Sequence, residues 1–200
     1  GSNVPRIKTF LSEVQQGTVC KTIWYRTEVG DTQEGTRDLK NVFGKAGAFT
    51  NPKPVRLIER VLDIASKDNS IILDFFAGSG TTGHAVLKYN SNNVGSKRRF
   101  ILCTNNENNI CRDVTYERIK RVIDKEGYKA SLKYYKVDYI PVSERMYYEY
   151  ADELLAHIRE LVELENGVNF TGNAEIGIVL TEEELTDFIA NVDDFEKCRK

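Results

Sequence analysis

One glycine-rich stretch carries the residue types and spacing best suited to binding chemistry. Gly78, Gly80 and Gly83 follow the pattern G-x-G-x-x-G between an apolar run that predicts a strand and a stretch that predicts a helix. Glycines at such a turn let the backbone approach a ligand closely, and the start of the helix offers it free N–H groups. Asp74 stands four residues before the first of these glycines, at the end of the predicted strand. The pattern predicts a turn that binds a nucleotide or a nucleoside.

Two carboxylates indicate which cofactor such a turn would hold. A negative charge at Asp74 disfavours a diphosphate and favours a cation. S-adenosylmethionine carries an ammonium and a sulfonium and no phosphate, so the charge signs favour it over a pyridine dinucleotide. Glu107 follows a second predicted strand, 24 residues after Gly83, where an acid accepts hydrogen bonds from both hydroxyls of a ribose. A NAD-dependent oxidoreductase stays the alternative that the glycine spacing alone allows.

The elements around the turn alternate between strands and helices, which predicts an α/β fold class. Apolar runs predict strands at 70–74, buried on both faces, and at 99–103, and an alternating tyrosine-rich run predicts a third at 132–139. Strands that alternate with helices in this way are typical of a parallel sheet with right-handed crossovers. Helices are expected at 54–64, 82–89 and 113–123, the last with Asp113 as its N-cap and Gly127 as its C-cap.

The chain is expected to divide into an irregular segment at 1–48, a cofactor-binding part at 49–140 and a helical plus α/β extension at 141–200. The first part holds six of the 14 glycines. Within it we expect a short strand at 22–25 and turns at Gly30-Asp31 and Glu34-Gly35. The extension predicts an amphipathic helix at 144–165 closed by Gly167, a strand at 175–180 and a helix opened by a capping box at Thr181–Glu184.

The composition of the chain limits the classes of protein to which it can belong. The 200 residues are 40% hydrophobic and 29% charged, which is typical of a folded domain. No apolar run approaches the roughly 20 residues of a membrane-spanning helix, and no signal-peptide pattern opens the chain. The four cysteines and two histidines stand far apart, which predicts neither a metal site nor a disulfide scaffold, so the reducing cytoplasm is the expected compartment. Residues 1–140 carry 23 Lys and Arg against 15 Asp and Glu, whereas 141–200 carry 5 against 15, so only the front part tolerates a polyanion nearby.

Several segments resemble one enzyme family. The run D-F-F-A-G-S-G-T-T at 74–82 resembles the cofactor loop of DNA amino-methyltransferases. The run F-T-N-P-K-P-V-R-L-I at 49–58 resembles the F-x-x-P-K-P-x-x-L-I segment that precedes this loop in the permuted, β-class order of these enzymes. The strand at 98–102 resembles their next element. With L-K-N-V-F at 39–43, the spacing is similar, over residues 24–139, to the modification subunit of type III restriction-modification systems.

The resemblance implies a Rossmann-like, three-layer αβα fold that binds S-adenosylmethionine and methylates the N6 amine of a flipped adenine in double-stranded DNA. It implies DNA and a restriction subunit as partners, and the open edge of a truncated sheet predicts pairing with a second copy of the chain. Asp74 is then expected near the methionine ammonium, Glu107 at the ribose and residues 49–53 beside the methionine tail. The full set of expected cofactor-binding residues is Phe49, Thr50, Lys53, Asp74, Phe75, Phe76, Gly78, Ser79, Gly80, Thr81, Thr82 and Glu107.

The catalytic motif of that family, [DNS]-P-P-[YFW], does not occur in these 200 residues, so no catalytic residue is expected among them. The run N-P-K-P at 51–54 does not replace it, because no apolar strand precedes it and no aromatic residue follows. In the permuted order the motif lies nearer the N-terminus, and an opening Gly1-Ser2-Asn3 is typical of residues left by tag removal. We therefore expect a C-terminal piece of a larger enzyme, inactive by itself. A cytosine-N4 methyltransferase and a non-catalytic assembly module stay open as alternatives.

Overall fold

The computed structural model describes residues 19–137, 139, 151–170 and 177–190, with the single positions 8, 10, 12, 13 and 17. The chain divides into two compact units, residues 1–135 and 136–200. In the described part, no helix has the length and apolar character to cross a membrane. The first unit contains α1 (Arg26–Val29), α2 (Thr32–Phe43), α3 (Val55–Ala65), β1 (Ile71–Asp74), α4 (Thr81–Asn92), β2 (Arg99–Leu102), a 3₁₀ turn (Glu107–Asn109), a π-helix (Cys111–Tyr116) and α5 (Glu117–Glu126). The second contains α6 (Ala151–Asn166) and α7 (Glu182–Ala190).

The strands β1 and β2 form a parallel pair, as the alternation of elements predicts. Ile71 lies opposite Arg99 and Asp74 opposite Leu102, and α4 makes the crossover between the strands. Parallel strands joined through a helix confirm the α/β class. Two apolar clusters pack the helices on the strands, one built on Val55, Leu62, Ala85 and Val86 and the other on Leu87, Ile119 and Val122.

One face of this strand pair is open, so the expectation that β1 is buried on both faces is wrong. Successive side chains of a strand point to opposite faces. Ile72 packs against the helices, whereas Ile71 and Leu73 are 54% and 50% exposed. A continuous apolar run predicts burial of both faces only when two layers cover the sheet, and here α3, α4 and α5 pack on the Ile72 face.

The third strand, predicted at 132–139, is also wrong for the residues described, because 132–137 and 139 form no strand. Tyr134 packs edge-on against Tyr116, with the ring centroids 5.5 Å apart. Leu132 packs against the cluster that contains Ile119. The alternation of apolar and polar residues here therefore serves contacts with the helical layer, since strand propensity yields to the packing that a side chain finds.

The N-terminal segment is helical between residues 26 and 43, which corrects the expectation of an irregular segment at 1–48. The carboxylate of Asp31 accepts a hydrogen bond from the Glu34 N–H at 2.9 Å and so caps the start of α2. Residues 22–25 are irregular and do not form the expected short strand.

Gly35 lies inside α2 and does not form the expected turn. A Cβ added to Gly35 would stand 2.2 Å from the carbonyl oxygen of Pro52. The glycine is needed because the backbone at 52–53 lies directly against this helix. A tertiary contact of this kind leaves no signal in the local sequence, where a glycine favours a turn.

The helix predicted from Asp113 begins earlier in the chain, because a 3₁₀ turn and a π-helix precede α5. The side-chain oxygen of Asn106 accepts hydrogen bonds from the N–H groups of Cys111 and Arg112 at 3.0 and 3.3 Å. Asn106 thus takes the capping role expected of Asp113, which pairs with Arg112 at 2.8 Å. Gly127, with a φ of 67°, ends α5 as predicted.

The predicted helix stop at Gly167 is confirmed, and the predicted capping box is confirmed in its Thr181 half, since the Glu184 carboxylate accepts a hydrogen bond from the Leu180 N–H at 2.8 Å instead. Gly167, with a φ of 64°, follows the end of α6, and the Thr181 hydroxyl accepts a hydrogen bond from the Glu184 N–H at 3.2 Å at the start of α7. The predicted start of the long helix, at 144, lies outside the described residues, as do 175 and 176 of the predicted strand. The rest of that strand, residues 177–180, is irregular.

Replacing Gly35 by alanine tests the contact between α2 and the 52–53 backbone. In an unobstructed helix this change stabilises a protein by about 0.5–1 kcal/mol. Because the new methyl group meets the Pro52 carbonyl, we expect Gly35→Ala to lower the free energy of unfolding by about 1–3 kcal/mol instead. Urea denaturation measures it, with Thr36→Ala at the next, exposed position as the control. A Gly35→Ala chain that is as stable as the unsubstituted chain would contradict the contact.

Candidate functional site

The carboxylate of Asp74 closes the turn from β1 into α4. Its Oδ1 accepts a hydrogen bond from the Phe76 N–H at 3.0 Å, and its Oδ2 accepts one from the Thr82 hydroxyl at 2.6 Å. Donors from both ends of the turn therefore fix the start of the helix relative to the strand. Each carboxylate oxygen has a second lone pair, so the half-buried Asp74 retains capacity for a ligand donor. Its role beside an ammonium group stays a prediction.

The glycines of the turn allow backbone shapes and contacts that other residues would prevent. Gly78 and Gly80 have φ values of 51° and 74°, in the left-handed region. A Cβ at Gly78 would stand 3.2 Å from the ring of Phe49, and one at Gly80 would stand 3.1 Å from the carbonyl oxygen of Thr115. At Gly83, a Cβ would meet a side chain of α5 at 2.8 Å, so this third glycine serves helix packing.

Two side chains from the π-helix and α5 hold the carbonyl groups of the turn from beneath. The Thr115 hydroxyl donates to the Gly78 carbonyl oxygen at 2.7 Å. The Nη1 group of Arg118 donates to the carbonyl oxygen of Ser79 at 3.2 Å, to its hydroxyl at 3.1 Å and to the hydroxyl of Thr81 at 2.9 Å. These contacts attach the glycine turn to an element that follows it by more than thirty residues.

No local motif predicts Thr115 or Arg118 as site residues, although one signal in the sequence indicates them. Both lie on the stripe that also holds Ile119 and Val122, at the three- and four-residue spacing of one helix face. All four are buried, and Arg118 has no exposed surface at all. A charged residue on an otherwise apolar stripe indicates a polar partner in the interior.

The hydroxyl side chains predicted to bind the cofactor point mainly into the protein. Ser79, Thr81 and Thr82 are only 4%, 5% and 9% exposed. The Thr81 hydroxyl lies 3.1 Å from the Ser79 hydroxyl and 3.2 Å from the carbonyl oxygen of Lys53. Their established partners are therefore protein groups that shape the turn.

An open cleft of about 350 Å³ lies beside the turn. Phe49 joins the two, because its ring lines the cleft and also lies against Gly78. Three predicted residues, Phe49, Thr50 and Glu107, line this cleft, whereas Asp74 and Lys53 do not. The side chains of Phe75 and Phe76 are 64% and 92% exposed. The full lining is Gly47, Ala48, Phe49, Thr50, Asn105, Glu107, Asn108, Ile110 and Val114.

A run of left-handed residues presents Glu107 to the cleft. Glu107 lies in the 3₁₀ turn beyond β2, and Asn106, Asn108 and Asn109 have φ values of 35°, 51° and 58°. Asparagine adopts this conformation more readily than most residues, although at a cost, and such strain gathers at functional sites. The Glu107 carboxylate is exposed and accepts one contact at 3.5 Å, from the Asn105 amide. Its oxygens therefore retain acceptor capacity toward the cleft.

Burial controls the charge state of the groups below the turn. Burial, with the positive charges of Arg118 and Lys88, lowers the pKa of His84 from 6.5 to about 3. Burial also lowers the pKa of Arg118 to about 10, which leaves it charged at neutral pH. The Nη2 group of Arg118 lies 3.2 Å from His84 Nδ1. Since arginine only donates, Nδ1 is the acceptor and a neutral His84 carries its proton on Nε2.

Comparison with known proteins places these features in one family. A family model described as "DNA methylase" matches residues 3–116. Over 102 residues the chain is 36% identical to the Mod subunit of the type III restriction-modification enzyme StyLTI of Salmonella typhimurium, covering 49% of this chain. It is 46% identical over 87 residues, or 44% of this chain, to the EcoPI Mod subunit of Escherichia phage P1. It is 32% identical over 104 residues, or 52% of this chain, to the type II methyltransferase M.KpnI of Klebsiella pneumoniae.

The matched segments cover a small part of these relatives. They span 15% of the StyLTI subunit, 13% of the EcoPI subunit and 24% of M.KpnI. The match to the family model includes the cleft residues and the whole glycine turn, and it ends within the π-helix at Tyr116. Arg118 therefore lies just beyond it.

The low pKa of His84 predicts a specific dependence of stability on pH. Between pH 6.5 and pH 3 the unfolded histidine binds a proton and the folded one does not, so the free energy of unfolding falls as the pH is lowered. From pH 6.5 to pH 5 we expect a loss of about 1–2 kcal/mol relative to a His84→Asn chain. Urea denaturation at both pH values measures the difference.

The chosen pH range isolates the histidine from the carboxylates. Arg56 holds the pKa of Glu34 below its ordinary value of 4.5, so that group affects stability at lower pH. Parallel losses in the His84→Asn chain and the unsubstituted chain would show that His84 is protonated in the folded protein.

Proposed function

Because the chain belongs to the DNA methylase family, we propose that residues 49–140 are the S-adenosylmethionine-binding half of a Rossmann-like, site-specific DNA adenine-N6 methyltransferase. The observation that carries the proposal is the cleft at which Phe49, Thr50 and Glu107 meet beside the glycine turn. These residues come from two segments that are more than fifty positions apart in the sequence. Only the fold brings them to one cavity.

The cleft has the size and the chemistry of a nucleoside site. Its volume of about 350 Å³ lies within the range of small-molecule sites, roughly 300–1,000 Å³. Phe49, Ile110 and Val114 supply apolar surface for a base, and the acceptor oxygens of Glu107 suit the two hydroxyls of a ribose. Among the described residues that line it there is no lysine or arginine to bind a phosphate. When bound, S-adenosylmethionine supplies an electrophilic methyl group on a positively charged sulfur.

Four of the predicted residues would then have a role that their surroundings permit. Glu107 orients the ribose, and Phe49 separates the base from the glycine turn. Asp74, which already holds the turn, offers its free lone pairs to the methionine ammonium. The exposed ring of Phe76 stands next to the turn, where it would exclude water from the donor.

The substrate and the partners are proposed from the relatives. Mod subunits of type III restriction-modification enzymes are among them, which supports methylation of double-stranded DNA and a second, restriction subunit as partner. We propose adenine as the target base and a second copy of the chain as a further partner. The residues that hold the target amine would lie outside these 200, because the motif that performs this task in the family is missing from them.

Substitution of Glu107 tests the ribose contact. A carboxylate that accepts hydrogen bonds from two hydroxyls contributes about 1.5–3 kcal/mol per bond. We therefore expect Glu107→Ala to weaken the binding of S-adenosylmethionine at least about tenfold in isothermal titration calorimetry. Glu126→Ala removes an exposed carboxylate at the far end of α5 and is expected to leave the affinity unchanged. Titration with NADH, monitored by fluorescence, tests the oxidoreductase alternative. That alternative predicts that NADH binds in place of S-adenosylmethionine.

The missing motif leads to a second test. The chain incubated with double-stranded DNA and tritiated S-adenosylmethionine is expected to retain the donor and to leave the DNA unlabelled. Filter binding measures retention of the donor, and scintillation counting of purified DNA measures transfer. Tritium in the DNA would show that residues in this chain hold the target amine.

A further inference from the structure

The guanidinium of Arg118 is a buried charge with an unusual set of partners. It has no exposed surface, and among the residues that the structure describes no carboxylate lies within ion-pair distance of it. Its Nη groups contact Ser79, Thr81 and His84, which are all neutral acceptors, and its Nε has no partner. The carboxylate of Asp38 acts on the guanidinium only from beyond ion-pair distance. Burying a charge without a counter-charge in contact is costly, so stability alone would favour an apolar residue here.

Arg98, which is also buried, shows what a structural arginine looks like in this protein. It is 6% exposed and contacts the carboxylate of Asp68 at 3.2 Å, the hydroxyl of Ser66 at 2.8 Å and the ring of Tyr89 at 4.4 Å. These contacts tie the end of α3 to the start of β2, away from the cleft. Arg118 differs because its Nη1 contacts all fall on the glycine turn.

Those contacts decide which way the turn faces. The carbonyl and N–H groups of one trans peptide unit point in opposite directions. Thr115 holds the Gly78 carbonyl oxygen on the protein side, so the Ser79 N–H points away from the π-helix. Arg118 holds the carbonyl and the hydroxyl of Ser79 on the same protein side. The two residues therefore fix the orientation of a turn whose left-handed glycines would otherwise allow several.

We propose that Arg118 is a positioning residue for the methyl donor, which holds the Ser79 and Thr81 acceptors beneath the turn so that the opposite side of the turn stays ready for the cofactor. This inference rests on the proposed function, because it names the donor as the ligand. Arg118 does not touch the donor. Its charge matters because a charged donor forms stronger hydrogen bonds to the neutral acceptors of the turn than a neutral group would.

Three variants separate positioning from general stability. Arg118→Met removes the charge and the donors, Arg118→Lys keeps the charge with a different donor geometry, and Arg98→Met removes a buried arginine elsewhere. Affinity for S-adenosylmethionine is measured by calorimetry at a temperature at which every variant is folded. We expect at least a tenfold weaker affinity for Arg118→Met, an intermediate loss for Arg118→Lys and a change below twofold for Arg98→Met, although both methionine variants melt at lower temperature.

A measurement without ligand accompanies these titrations. In a ¹H–¹⁵N spectrum, we expect the Ser79 and Gly80 amides of Arg118→Met or Arg118→Lys to shift, while Arg98→Met leaves them unchanged. We also expect the Gly80 N–H, which donates to the Ala77 carbonyl oxygen at 2.8 Å, to exchange with solvent at least tenfold faster in the Arg118 variants. If Arg118→Met does not fold, the affinity and the amide exchange are both measured on Arg118→Lys. Wild-type affinity and unchanged turn amides in a folded Arg118 variant would overturn the positioning role alone. If the unsubstituted chain bound no S-adenosylmethionine, the proposed function would fail, and the role toward the donor with it.

Discussion

Two hydrogen bonds of the Asp74 carboxylate determine how the chain passes from β1 into α4. One comes from the Phe76 N–H inside the turn and the other from the Thr82 hydroxyl in the first turn of the helix. Each is a bond to a charged acceptor, worth about 1.5–3 kcal/mol when shielded and less in this half-buried position. Without them, Gly78 and Gly80 would leave the turn free to adopt other shapes. The exposed edge of the turn and the cleft beside it both depend on this closure.

The π-helix supplies the second half of the constraint. Its wider winding brings the Thr115 hydroxyl within 3.2 Å of the carbonyl oxygen of Ile110, five residues earlier, as well as 2.7 Å from that of Gly78. Arg118 follows in the first turn of the regular helix and meets the same loop. A π-helix is uncommon, and it is often found where a functional site needs a side chain moved out of the regular helical position. Here it aligns two donors under one turn.

The sequence predicts those parts of the fold that depend on local signals. The strand at 71–74, the glycine turn, the helix after it and the stop at Gly127 follow from apolar runs, glycine spacing and capping. The helix α2 does not follow from local signals, because a glycine is required at Gly35 by its contact with a backbone carbonyl from another part of the chain. The same limit applies to Tyr134, whose ring contact replaces the expected strand ladder. Local patterns cannot report contacts between distant segments.

The candidate site shows the same distinction between what local motifs predict and what contacts with distant segments decide. Phe49 and Glu107, predicted from separate motifs, do line one cleft. The hydroxyls of Ser79 and Thr81 were expected at the cofactor, and the structure gives them Arg118, a residue that no local motif connects with the turn. A motif indicates which residues gather at a turn. It does not indicate which side of the turn each faces, since that depends on the element packed beneath.

The negative charges around the turn are accessible from its outer side, whereas the positive charge lies beneath it. Glu107 is exposed at the cleft and Asp74 is half-buried at the turn, whereas the charge of Arg118 is fully buried beneath it. The low pKa of His84 keeps that lower side from gaining a second positive charge at neutral pH. A ligand at the turn would therefore meet carboxylates first and a shielded, hydrogen-bonded guanidinium only through the backbone. This arrangement favours a cationic ligand over a diphosphate, because the accessible acceptors are anionic and the Nη groups of the buried Arg118 already donate their hydrogen bonds to the protein.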